Sequence, residues 1–185
     1  GMLSYFIVFA TLMGGLYGYL NSIQQIMFDT FRRPELLAGV FAGTAATMAA
    51  ANLFNARIVV KVGTRIISHG AVLALIAVAG LHLLLVESGR ETLWTFAVLQ
   101  ALTMACFGLA SANFQSMAMQ NMGRIAGTAS SVQGFASVSA GAAIGAVIGQ
   151  AFDGTVAPLA IGFMGAGLAA LLLVAATERG RLLRR

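Results

Sequence analysis

Apolar residues run along this chain in six blocks of about 20 or more, and short polar intervals separate them. A helix needs roughly 20 mainly apolar residues to cross about 30 Å of hydrocarbon, so the pattern predicts six membrane-spanning helices. They fall near 3–24, 36–56, 66–86, 93–118, 125–150 and 157–176. The intervals at 28–35, 57–65, 87–92, 119–124 and 151–156, with the tail 178–185, hold nearly every charge. The expected fold is therefore an all-α integral membrane bundle, one six-helix unit over 1–185.

The blocks differ in character. The third and sixth are almost wholly Leu, Ala, Val, Ile and Gly, as expected of helices with much of their surface in lipid. The first carries Tyr17, Tyr19, Asn21, Ser22, Gln24 and Gln25, and the fourth Gln100, Thr103, Ser111, Asn113 and Gln115. Polar groups are costly in hydrocarbon unless they face protein or a wet cavity. Helices one and four are thus the candidates for lining a pathway, with Tyr17, Asn21, Gln24, Gln100, Met104 and Phe107 as candidate substrate-binding residues. Aromatic and Met surface adapts to varied apolar ligands, and a few amides fix orientation.

A faint repeat joins the same two helices. Tyr17-Gly18 precedes Gln25, and Phe107-Gly108 precedes Gln115, each Gly and Gln 90 positions on. It falls on the first helix of each triplet, as a 3+3 inverted repeat would require.

Composition sharpens the class. Of 185 residues 59% are hydrophobic and 9% charged, at a mean hydropathy of +0.88, against roughly 25% charged in soluble domains. Disorder needs the opposite balance. The net charge of +5 does not point to nucleic acid, because the basic residues lie between apolar runs and not in one stripe. Their placement reads as topology instead. Arg57, Lys61, Arg65, Arg124, Arg179, Arg181, Arg184 and Arg185 fall on one side, and Arg32, Arg33 and Arg90 on the other. By the positive-inside rule both termini are expected in the cytoplasm, with the chain multi-pass in the cytoplasmic (inner) membrane. No basic segment precedes the first run, which reaches span length and so does not read as a cleaved signal peptide. Gly1-Met2 reads as a cloning remnant or an internal cut.

Little chemistry accompanies this pattern. Cys106 reads as a packing residue. His69 and His82 lie too far apart on their helix to form a metal or acid–base pair, and each reads as an interface or packing residue. No Asp or Glu occupies mid-span, so no intramembrane proton carrier is evident. No catalytic residue, metal site or cofactor is expected, and the chain does not read as an enzyme.

Two further motifs concern packing and gating. Gly141, Gly145 and Gly149 repeat every four residues along one face of helix five, where another backbone can approach closely. Gly14 and Gly18 form a shorter stripe in helix one. Between helices two and three, Arg57, Lys61, Gly63 and Arg65 make a basic tight turn that serves either topology alone or a gate, its Arg residues meeting helix ends or carboxylates of a partner bundle.

The most specific stretch is 124–134, Arg124, Ile125, Ala126, Gly127, Thr128, Ala129, Ser130, Ser131, Val132, Gln133 and Gly134. The glycine stripe follows it, then Phe152, Asp153, Gly154, Thr155, Pro158 and Leu159. This resembles the region around the eleventh helix of the bicyclomycin/chloramphenicol-resistance family of drug:proton antiporters, in the major facilitator superfamily. Tyr19, Asn21, Ser22, Gln24 and Gln25 resemble the family's seventh helix, and 57–65 its eighth-to-ninth connection. The resemblance spans the chain as the carboxy-terminal half of a twelve-helix fold, and adds Gly127 to the helix-packing glycines. It implies export of small amphipathic compounds by alternating access, with an amino-terminal six-helix half or a second copy of this chain as partner. The acids that usually couple such carriers to protons lie largely in the missing half. The competing expectation is a membrane protein that assembles with or modulates another and does not transport. In that case the polar face of helices one and four is filled by side chains.

Overall fold

In the computed structural model, which describes residues 2–183, the chain is all helical: α1 (Met2–Gln25), α2 (Leu37–Val62), α3 (Thr64–Glu87), α4 (Leu93–Ala118), α5 (Ala126–Gln150) and α6 (Ala157–Thr177). All six are long and apolar enough to cross a membrane, so the chain is a six-span membrane protein. Arg184 and Arg185, two of the eight basic residues assigned to one side, lie outside the described residues, as does Gly1.

The helix ends follow from local chemistry. A π-helical turn, Ile26–Thr30, closes α1, and Arg32 then takes a left-handed φ of 52° before Pro34 opens the next turn. The Thr92 hydroxyl accepts from the Thr95 N–H, and the Thr95 hydroxyl accepts from the Thr92 N–H, a reciprocal cap on α4. One residue alone separates α2 from α3. It is Gly63, at φ 98°, where a side chain would be strained. The interval 57–65, read from the sequence as a loop, is therefore helical on both sides of Gly63. At 26 residues α2 is about 39 Å long, so it outruns the roughly 30 Å hydrocarbon layer. Nothing breaks the helix where Arg57 and Lys61 emerge.

Packing sets the helices in two rows. In the front row α5 lies on α1, α1 on α4 and α4 on α2; behind them α6 backs α1, α3 backs α4, and α3 and α6 pack together. The core between the rows holds Leu12, Tyr19, Leu75, Phe96, Phe114 and Leu159, all at most 2% exposed. By composition the third and sixth helices have much of their surface in lipid, in contrast to the first and fourth. Both are covered less than α1 and α4, as their composition implies, but more than α2 and α5: α3 buries eight residues, from Ile67 to His82, whereas α2 buries only Thr44 and Asn55. The flanking front-row helices α2 and α5 are the least covered.

Candidate functional site

The front row contains two seams, α1–α5 and α4–α2, and the polar residues sort between them. Along α1–α5 the glycine faces meet in parallel register. A Cβ built on Gly141 would lie 3.0 Å from Met13 Cβ, one on Gly145 2.7 Å from the Tyr17 carbonyl carbon, and one on Gly149 3.0 Å from Asn21 Cβ. From the other side Gly18 receives Ile148, whose Cδ1 would be 2.7 Å from a new Cβ. Small residues at four-residue spacing let the backbones come this close. Gly127 does not share the seam. It sits at the exposed start of α5 with nothing within 4 Å of a Cβ, because α5 meets α1 only further along.

On the α4–α2 side the contact is polar. Asn113 Nδ2 donates to Asn55 Oδ1 at 2.9 Å and to the Leu109 carbonyl at 2.7 Å, in buried surroundings. Gly108 lets α2 approach, since its Cβ would lie 3.1 Å from Asn52 Oδ1 and 3.3 Å from the Met48 carbonyl oxygen. Nearer the other end a groove of about 510 Å³ opens between the same two helices. It is lined by Leu36, Gly39, Val40, Gly43, Thr44, Thr47, Trp94, Ala97, Val98 and Ala101. Beside it Tyr19 and Thr44 share a buried 2.7 Å hydrogen bond that ties α1 to α2.

The six candidate substrate residues do not converge on one cavity. Gln100, Met104 and Phe107 are buried at 1%, 2% and 4% exposure, on the face of α4 that packs into the core. Gln100 keeps its Nε2 without a protein partner. Their stripe, three to four residues apart, also carries Phe96 and Phe114, which meet aromatic rings of α3 and α1. Helical spacing thus turns Gln100 away from the open face. Tyr17 is half-buried beneath Gly141 and Gly145. Asn21 and Gln24 are exposed, in separate clefts. Asn21 lines one of about 360 Å³ with Gln25, Gly149, Gln150 and Phe152. Gln24 lines another of about 470 Å³ with Leu20, Ile23, Pro34, Glu35 and Phe41.

Charged groups collect at the two ends. At one, Glu178 at the end of α6 accepts from the Tyr5 hydroxyl and lies 3.5 Å from Arg65 Nε. Of the proposed gating residues, Arg65 therefore meets a carboxylate of its own bundle, while Arg57 and Lys61 are exposed and form no ion pair among the described residues. Buried His69 accepts the Leu183 N–H on Nδ1 at 3.2 Å, which folds the tail under α3. At the other end His82 Nε2 lies 2.8 Å from Glu91 Oε1, with side chains 2% and 10% exposed, and Glu91 Oε2 has no partner. This buried acid–base pair escaped the sequence reading because its members, nine residues apart, meet only when the α3–α4 turn closes. In the same end region Asp153 accepts from the Thr155 hydroxyl at 2.6 Å and its N–H at 3.0 Å. These bonds hold its carboxyl below the ordinary range.

Among the described residues no three His, Cys, Asp or Glu side chains gather as a metal site would need. No protein-family model, curated protein or solved structure matches this chain.

Proposed function

We propose that this chain is one half of a multidrug or small-molecule efflux transporter of the major facilitator type, working by alternating access against a second six-helix bundle. The observation that carries the reading is the open front row. Its flanking helices α2 and α5 are the least covered of the six and rich in Gly and Ala, the surface a facing bundle can approach closely. Between them lie α1 and α4, with Asn21 and Gln24 exposed.

The helix neighbours add support for a 3+3 inverted repeat. Exchanging α1, α2 and α3 for α4, α5 and α6 turns the α1–α5 pair into α4–α2 and the α1–α6 pair into α4–α3, and both pairs are packed. Gly18 and Gly108, the glycines of the faint sequence repeat, are each approached closely by the second helix of the other triplet. An odd number of spans per unit makes such a repeat inverted. In this reading both termini are cytoplasmic, the membrane is the cytoplasmic one, and the partner is an amino-terminal half or a second copy.

One observation favours the alternative, a non-transporting protein that assembles with another membrane protein. Gln100, Met104 and Phe107 are packed into the bundle, so that part of α4 is filled by side chains. The two readings part in a flux assay. The purified chain in liposomes under a pH gradient should not move a fluorescent drug, since no Asp or Glu lies mid-span. Co-reconstitution with an acidic amino-terminal bundle should restore gradient-driven movement, and Asn21→Ala should weaken it. Failure of every bundle pairing to transport would leave the assembly reading.

A further inference from the structure

On α5, Gln133 and Ser137 stand one turn apart on the stripe that continues through Gly141 and Gly145, the stripe that faces α1. They are 2% and 1% exposed. Neither Gln133 Nε2 nor Ser137 Oγ has a hydrogen-bond partner, and less than 1 Å² of either atom is accessible, so a water cannot sit beside them. An amide and a hydroxyl sealed side by side in a membrane interior are strongly disfavoured. The seam is uneven along its length. Past Gly141 the glycines interlock with Met13, Tyr17, Gly18 and Asn21, whereas before it the stripe carries Gln133 and Ser137, which are covered but leave their Nε2 and Oγ atoms without a partner. The half of the seam before Gly141 is thus closed over two unpaired polar groups and not by interlocked glycine.

We propose that the first half of α5 is a mobile wall. It swings from α1 about the Gly141–Gly149 contact, and in the open state Gln133 and Ser137 line a water-filled pathway as its polar contact residues. The chemistry favours water and neutral hydrogen-bonding solutes over ions, because the orphan amide is a donor, the hydroxyl is uncharged, and α1 and α5 carry no charged residue within their helical spans. The packed state seals these groups at a cost that hydration in the open state removes. Arg124, just before α5, is exposed and makes no ion pair among the described residues, so no ionic tie restrains that end. The motion itself does not depend on the exporter reading. Only the assignment of Gln133 and Ser137 to a substrate route rests on it.

The test is thiol reactivity of the full chain in nanodiscs, with Cys106→Ala as background and a charged, water-soluble methanethiosulfonate as probe. Ser137→Cys is compared with Ile148→Cys, on the same face but seated against Gly18, and with fully buried Ala170→Cys on α6. Ser137→Cys should react at least about tenfold faster than both, the ratio set by about 1.4 kcal/mol in opening free energy. Adding Gln133→Leu, which removes the orphan amide, should slow Ser137→Cys toward the controls. Equal protection at all three positions, or equal reactivity at all three, overturns the hinge. Fast modification of Ser137→Cys that Gln133→Leu leaves unchanged overturns the role of the polar pair. Because no transport is measured in this test, failure of every bundle pairing to transport would sink the exporter reading and leave this inference standing.

Discussion

The two front-row seams are held by opposite means. Between α1 and α5 the backbones approach through glycine, and among the described residues no hydrogen bond crosses between these two helices. Between α4 and α2 an Asn–Asn bond fixes one end, while the other end opens into a groove with Trp94 at its edge. Close van der Waals packing is intolerant of added volume but needs no particular partner. A buried hydrogen bond needs its partner yet tolerates space around it. One seam is therefore specified by what is missing from its side chains, and the other by what they carry.

The sharpest break in that comparison should come from Gly145→Leu. The new side chain has Tyr17 and Gly18 backbone in its path, which cannot yield as a rotamer would. Overpacking costs about 1–3 kcal/mol in ordinary cores, and the upper end is expected here, read as a lower unfolding midpoint in detergent. Gly127→Leu, in open space, should leave that midpoint nearly unchanged. If both behaved alike, the glycine seam would not hold the bundle.

On the other seam, Asn113→Leu should cost about 0.6–1.7 kcal/mol, the range for hydrogen bonds between membrane helices. The change also strands Asn55 Oδ1. The double variant Asn55→Leu/Asn113→Leu should recover part of the loss, since the unpaired carbonyl is then gone. A double variant whose loss equals the sum of the singles would mean that the pair is not coupled.

Tyr19→Phe should matter less, at about 0.6 kcal/mol, because Thr44 retains its bond to the Phe41 carbonyl at 2.9 Å. The smallest effect belongs to Asp153. Its carboxyl is held below the ordinary range, so the linked stability is present above the unfolded value and is lost as pH falls through the folded one. Asp153→Ala should abolish that acid-limb dependence and slightly lower stability at neutral pH, converging with wild type as pH falls through the folded value, checked by melting curves from neutral to acidic pH.

Much of this architecture is written in the run lengths. Six apolar blocks with charged intervals need no tertiary information to become six helices, and Leu93–Ala118 begins and ends where the pattern says. The stripe Gly141, Gly145 and Gly149 was equally readable, because one four-residue period defines one helical face. Facing was harder to read. Gln100 and Asn21 are both polar residues on central helices, yet one enters the core and the other a cleft, a choice made by the rotation of each helix against its neighbours. The uniformly high hydrophobicity of membrane helices hides that rotation, since lipid and protein interior favour the same side chains. The His82–Glu91 pair and the Arg65–Glu178 contact depend on chain closure at the helix ends, and no local period encodes them.

The central claim is that the open front row meets a second helical bundle. It is tested most directly by placing a photo-crosslinking residue, in cells, at exposed positions of the front row, Leu53 on α2 and Val147 on α5, and of the back row, Leu84 on α3 and Leu172 on α6. The account predicts that Leu53 and Val147 capture a protein, either a second copy or an amino-terminal half, and that Leu84 and Leu172 capture lipid. Lipid adducts alone from all four positions would contradict it.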